Sequence, residues 1–399
     1  MPVAGSLRVT AIGDAGSLAN ERLTRPVFLP SSARAFRRRG AAYPAVGVRL
    51  GVRERMPSFA RQALLMPFWL AQVFTQEKFF ARNPVIGSRW LNERGLHTAR
   101  VRLAGRLAER RREKLAHLIS SEDRRQLDRD GFVVKRDFLP PELFGDLVGQ
   151  VRALRAPARE MVEGDTITRH IALDPSVLAR APAVRALLDR PEWRNLIAYG
   201  GSSAAAPMVY VQTVISGAVP GLSDPQTDLH TDTFHPTVKA WLFLTDVTSD
   251  EMPFVYVPGS HRLTPQRLDW ERRMSIAASR PPAEGQHRLV RALDPAQLGE
   301  LGLPPPRAIA VPANTLVVAD TFGFHARGPS ARPATRVEIW AMGRRNPFLP
   351  WTGLDPWSVS ALGLRKPILY WKSVDAMERL GIGRQRWRVR GDLSAFDPV

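Results

Sequence analysis

The sequence predicts an α+β protein in which helices come first and a β-sandwich or barrel follows. Apolar residues recur at largely helical spacing within residues 58–199. From residue 207 onward, short segments rich in β-branched and aromatic residues alternate with Gly, Pro and Asn. A chain of 399 residues with 44% hydrophobic content, 10 Trp and 17 Phe can bury a large core and carry appended segments.

Residues 1–55 show little periodicity and contain "RAFRRRG" (34–40), so loop or disorder is expected there. The apolar stretch 58–80, flanked by Arg53, Arg55, Arg61, Lys78 and Arg82, reads as a helix, either lying in a membrane interface or covering part of the core. Over 98–119, Val101, Leu103, Leu107, Leu115 and Leu118 define a helix with a polar opposite face, and another helix follows the serines at 120 and 121. Residues 130–154 read strand, turn, helix, with Pro140 and Pro141 at the helix start. One further helix is expected over 176–199. Strands are expected at 207–216, 237–247, 253–260, 307–312, 315–320 and 335–342, and the Pro-rich stretch 261–306 reads as a long insertion. The last fifty residues hold Trp351, Trp357, Trp371, Trp387 and a basic "RQRWRVR".

Charge is uneven along the chain. Residues 1–115 carry 22 Lys/Arg against 7 Asp/Glu, whereas the whole chain is +19, leaving +4 for the remainder. Such a segment suits an anionic membrane surface or an acidic partner, or is a solvated Arg-rich face; nucleic acid is the less favoured partner. Absence of Cys excludes disulfides, thiolate metal sites and cysteine catalysis. No segment reaches the roughly 20 apolar residues of a membrane span, and residues 1–23 lack a signal-peptide core. A cytoplasmic protein, peripheral on a membrane or free of it, is the expectation.

"DLHTDTFH" (228–235) concentrates metal-ligand side chains. In an extended segment His230 and Asp232 point to one face, because strand side chains alternate with period two. An imidazole and a carboxylate side by side are two members of a facial triad that a second His completes. His325, after a buried-looking strand and a Gly turn, is the best-placed partner; His235 and His261 compete, while His97, His117 and His287 lie in less suitable contexts.

Together, "DGFVVKRDFLPPEL" (130–143), "HTD" at 230–232, "VYVPGSHR" (255–262) and "FHARGPSARPATR" (324–336) resemble the core of the phytanoyl-CoA dioxygenase family over residues 120–345. The resemblance implies a double-stranded β-helix, a jelly-roll relative of the cupins, using Fe(II), 2-oxoglutarate and O2. It implies His230, Asp232 and His325 as iron ligands and Arg336 as the grip on the distal carboxylate of 2-oxoglutarate, a pairing that a planar guanidinium makes in bidentate fashion. Arg327 and Arg332 are rivals for that role. Gln212 and Trp241 are candidate cofactor-pocket residues. Relatives that halogenate lack the carboxylate ligand, so Asp232 points to hydroxylation with release of succinate and CO2. One departure is local: Met252 and Pro253 stand where the family pattern has a glycine.

These readings divide the chain into a basic, partly helical extension (1–118), an oxygenase domain (119–350) and a Trp/Arg-rich extension (351–399). The substrate expected is an organic molecule, either lipid-linked or acyl or a small soluble metabolite. Two other classes compete: a non-catalytic jelly-roll binding module with a vestigial site, and a zinc hydrolase using the same triad.

Overall fold

The computed structural model describes residues 58–217, 224–278, 291–355 and 358–399. The expected loop at 1–55 with its arginine run, His287, "RPPAEG" and Trp357 lie outside the described residues. Helices are α1 (Ser58–Gln72), α2 (Arg89–Glu93), α3 (Leu96–Leu115), α4 (Ser121–Asp130), α5 (Pro141–Ala153), α6 (Pro175–Arg180), α7 (Pro182–Asp189), α8 (Pro191–Gly200), α9 (Pro265–Ala277), α10 (Ser360–Gly363) and α11 (Lys366–Arg379). Strands are β1 (Phe132–Lys135), β2 (Ala156–Glu163), β3 (Thr166–Ala172), β4 (Met208–Ser216), β5 (Val238–Phe243), β6 (Phe254–Tyr256), β7 (Arg307–Ile309), β8 (Thr315–Asp320), β9 (His325–Arg327), β10 (Ala334–Gly343) and β11 (Arg388–Leu393).

Eight strands form one antiparallel sheet in the order β1-β8-β5-β10-β4-β3-β2-β11, and β7-β6-β9 form a second. Rings pack the two sheets together: Trp241 lies 4.4 Å from Phe254, and Phe132 lies 5.2 Å from Tyr256, centroid to centroid. This is the double-stranded β-helix of the expectation. The opposite face of the large sheet is covered by α5, α7 and α8 through Leu147, Val151, Leu187, Trp193, Leu196 and Ile197.

Several elements depart from the sequence reading. The single helix expected over 176–199 is three, because Pro182 and Pro191 cannot continue a helix and instead begin new ones. The hairpin β2–β3 was not anticipated; its Gly164 turns with φ 61°. Residues 261–306, expected as an insertion, contain α9, capped by the Thr264 hydroxyl accepting from the Arg267 N–H. Strand β11, within the C-terminal extension, pairs with β2 and completes the sheet edge. In α3, Val101, Leu107 and Leu115 are buried as the spacing required, but Leu103 faces solvent.

The arginines of the basic segment are not all solvated. Arg111 is buried and donates to the carbonyls of Ser202, Pro347 and Leu349. Arg100 is buried and donates to the carbonyls of Val73, Thr75 and Glu77, clamping the chain that enters the site next to Lys78. A guanidinium with five donors can satisfy several stray carbonyls at once. Helix α1 is different in kind: Leu64, Met66, Phe68 and Leu70 are all exposed. No helix of the described residues is long and apolar enough to cross a membrane.

Candidate metal centre

Residues 228–235 are not a strand. His230 makes an isolated bridge to His325, in which each backbone N–H donates to the other's carbonyl at 2.9 Å. The Asp232 N–H donates to the Thr321 carbonyl at 3.0 Å. The segment is thus sewn along the turn before β9, and this sewing, rather than strand alternation, brings His230, Asp232 and His325 together. One ligand atom from each lies within 4.8 Å of the others. The rings of His230 and His325 are 4.6 Å apart, and His325 Nε2 is 3.8 Å from Asp232 Oδ2.

Hydrogen bonds orient both imidazoles. His230 Nδ1 donates to the Asp228 carbonyl at 2.7 Å and His325 Nδ1 to the Gly323 carbonyl at 3.0 Å. Each Nε2 therefore carries a lone pair, and that of His325 is buried with no hydrogen-bond partner among the described residues. Burial lowers both imidazole pKa values, that of His325 to about 3, so the rings are neutral and free to ligate. For Asp232, burial pushes the carboxyl pKa up, but Lys239, the two imidazoles and Lys78 outweigh it and hold it well below the usual range. Two neutral nitrogens and one carboxylate, with an orphaned buried lone pair among them, are a donor set that fits a divalent iron or zinc ion.

A small cavity of about 100 Å³ adjoins the triad and includes Gln212, Lys239, Trp241, Phe254, Arg327, Arg336 and Trp340 in its lining. The structure therefore brings His230, His325, Arg336, Gln212 and Trp241 to one cavity, with Asp232 beside it. Arg336, on β10, is buried; its Nε donates to Glu338 Oε2 at 2.7 Å and its Nη1 to the Met252 carbonyl. Arg327 also lines the cavity, paired with Asp224, whereas Arg332 is exposed and pairs with Glu251 away from it. His235 is buried beside Phe234 with its Nδ1 donating to the Pro236 carbonyl, and His261 lines a separate groove under α3; neither joins the triad. Met252 adopts φ 53°, a left-handed backbone that glycine takes at least cost.

Several participants escaped the sequence reading. Lys239 carries no motif that marks it, yet its Nζ sits 2.8 Å from Asp232 Oδ2. Lys78, read as the flank of an apolar helix, donates to the Asp232 carbonyl, and burial lowers its pKa to about 8. Glu338 was overlooked altogether. Its signal was the period-two run Arg336, Glu338, Trp340, which places all three on one strand face. Lys239, Arg327 and Arg336 pair with Asp232, Asp224 and Glu338, so these charges cancel.

Residues 127–292 match the family model described as phytanoyl-CoA dioxygenase (PhyH), a family of iron- and 2-oxoglutarate-dependent oxygenases, which bears out the resemblance read from the sequence. No curated protein matches the chain. Among solved structures, the non-heme alpha ketoglutarate dependent carbocyclase SnoK from nogalamycin biosynthesis is similar at 20% identity, covering 56% of this chain and 83% of its own, with TM-score 0.34. The epimerase SnoN, in complex with Fe3+, alpha ketoglutarate and nogalamycin RO, is similar at 18% identity, covering 60% and 93%, with TM-score 0.36. HygX from Streptomyces hygroscopicus, with nickel, 2-oxoglutarate and hygromycin B bound, is similar at 14% identity, covering 56% and 87%, with TM-score 0.32.

Proposed function

We propose that this chain is an Fe(II)- and 2-oxoglutarate-dependent dioxygenase that hydroxylates a small organic substrate, releasing succinate and CO2. His230, Asp232 and His325 would hold the iron. The observation that carries the reading is the convergence of two neutral, lone-pair-bearing imidazoles and an ionised carboxylate on a cavity that also holds Arg336. Iron so bound would supply the oxygen chemistry, together with 2-oxoglutarate and O2.

The chain's own residues do the positioning. Arg336, fixed by Glu338 and the Met252 carbonyl, keeps further N–H groups with which to grip the distal carboxylate of 2-oxoglutarate. Gln212 is itself held: its Nε2 donates to Glu338 Oε1 at 2.6 Å and its Oε1 accepts from His170 Nε2 at 2.6 Å, leaving one N–H for the cofactor. Trp241 and Phe254 wall the cavity and exclude water. Residues 119–350 form the oxygenase domain in this reading, with 1–118 and 351–399 as extensions.

Fe(II)-loaded protein should convert 2-oxoglutarate to succinate, and Asp232→Ala should abolish the conversion. Absence of turnover in the wild type, or its persistence in Asp232→Ala, refutes the assignment. Zinc found after anaerobic purification, with hydrolysis and no succinate, would favour the hydrolase. Binding without any turnover would favour the vestigial module. As to partner, the exposed apolar side chains of α1 beside a strongly basic sequence support association with an anionic lipid surface and a lipid-like or acyl substrate. Co-sedimentation with phosphatidylserine vesicles should be lost in a Leu64→Glu/Phe68→Glu variant; no binding by the wild type refutes it.

A further inference from the structure

The face of β10 that carries Arg336 and Glu338 continues through Trp340 to Met342, and the sheet continues sideways to β4 and β3. Register sets Trp340 opposite Tyr210 and Gln212 opposite His170. Beyond the metal cavity, this face opens into a second and larger one of about 610 Å³, roofed by α11 and the segment before β11. Trp340 lines both cavities, so the two adjoin at its ring.

The larger chamber is built of rings. His170 is stacked between Tyr210 at 4.5 Å and Trp387 at 4.2 Å, with Trp340 tilted at 5.2 Å and Trp371 at 5.5 Å from Tyr210. Among the described residues its wall contains no Asp or Glu, and it contains Arg344 and Lys366. Arg344 is half-buried in this wall, and its Nε has no hydrogen-bond partner among the described residues. Two half-exposed residues of α11, Leu369 and Tyr370, form the rim, so the chamber has an entrance. A space of this size suits one molecule of ordinary metabolite or drug dimensions.

We infer that this chamber is the substrate subsite and that it takes a flat, ring-containing molecule bearing an anionic group, with the ring system against the aromatic lining of Trp340, Tyr370 and Trp387 and the anion on Arg344. Aromatic walls reward planar rings through offset and edge-on contacts that a saturated chain does not make. A guanidinium with a free N–H prefers a carboxylate or phosphate oxygen. A molecule so seated rests against Trp340, whose ring also lines the cavity beside the triad. The inference deepens the oxygenase reading and rests on it for the word substrate; the ligand preference stands on the chamber alone. It also favours ring compounds over the acyl chains that the sequence suggested.

Equilibrium dialysis of the full chain, with and without Fe(II), tests it using 1-pyrenecarboxylate, its methyl ester and dodecanoate as probes. Saturable binding of 1-pyrenecarboxylate, at least about five-fold tighter than dodecanoate, is expected, including in Asp232→Ala. Arg344→Gln should weaken the carboxylate about ten-fold and leave the ester unchanged. Tyr370→Ala, a rim change that touches no core, and Trp387→Phe should each weaken pyrene binding by a few fold. Dodecanoate binding as tightly as pyrenecarboxylate, equal effects of Arg344→Gln on acid and ester, or no saturable binding by wild type overturns the inference. Loss of succinate release with pyrenecarboxylate binding intact would instead sink the metal reading.

Discussion

The two faces of the large sheet are built from alternate residues of the same strands, and they do opposite jobs. On β10, Val337, Ile339 and Ala341 turn outward into the helix-covered core. Their immediate neighbours Arg336, Glu338 and Trp340 turn inward to the cavities. Strand β4 repeats this with Val209 and Val211 against Tyr210 and Gln212, and β5 with Ala240 and Leu242 against Lys239 and Trp241. The outer face is apolar and close-packed; the inner one carries an ion-pair and hydrogen-bond chain running Arg336, Glu338, Gln212, His170. Because Glu338 accepts from Gln212 Nε2, the amide oxygen faces His170, so His170 Nε2 bears the proton. Rigidity comes from one face, and chemistry from the other.

Substitutions on the two faces should therefore separate. The largest effect belongs to the inner side: Asp232→Ala should cut 2-oxoglutarate turnover by at least about 100-fold, since even residues that only orient metal ligands are worth 10- to 100-fold. Fe(II) should no longer raise the Tm of that variant, and its metal-free Tm should fall, because Lys239 loses its buried counter-charge. On the outer side, Leu187→Ala, at a fully buried position far from the triad, should lower stability by about 2–5 kcal/mol in urea melts. Its turnover per folded molecule should match wild type. If Leu187→Ala lowers turnover of the folded fraction as Asp232→Ala does, the two faces are not independent.

A pH titration sharpens the same contrast. Burial lowers the imidazole pKa of His170 to about 4, of His261 to about 4 and of His235 to about 3. Unfolded histidines titrate near 6.5, so below that pH the unfolded chain binds more protons than the folded one, and stability falls as pH drops. The loss runs from about 6.5 towards 4, at up to roughly 1.4 kcal/mol per pH unit for each histidine. Measured ΔG of unfolding should accordingly decline steeply below pH 6, and buried Lys78, with its pKa lowered to about 8, should make it rise again above about pH 8. His170→Gln should flatten the slope. The smallest effect concerns Met252, whose left-handed backbone favours glycine by about 1 kcal/mol while its buried side chain favours methionine. Met252→Gly should lower the Tm, and Met252→Ala should lower it further.

Much of the site was legible in the sequence because its residues carry their chemistry openly. His230, Asp232 and His325 are ligand types at sparse, telling positions, and Arg336 begins a strong strand. The strands at 207–216, 315–320 and 335–342 were legible for a similar reason, being continuous β-branched and aromatic runs. What stayed hidden depends on partners far away in the chain. Lys239 and Glu338 matter only through Asp232, Arg336 and Gln212, and ion pairs of this sort leave no local pattern. Strand β11 is a basic segment with an exposed face, and only the edge of β2 makes it a strand. The 176–199 region failed for a plainer reason: Pro182 and Pro191 were there to be read as breaks.

The reciprocal backbone bridge between His230 and His325 also bears on how the site comes into being. The two ligands belong to segments far apart in the chain, and the bridge exists only once the turn before β9 has docked against residues 228–232. Closing so long a loop is an entropic barrier that local structure cannot lower. A partly synthesised or partly folded chain thus owns two ligands at most, and would hold metal weakly. With His230, Asp232 and His325 as the ligands, tight iron binding would follow the folding of the core.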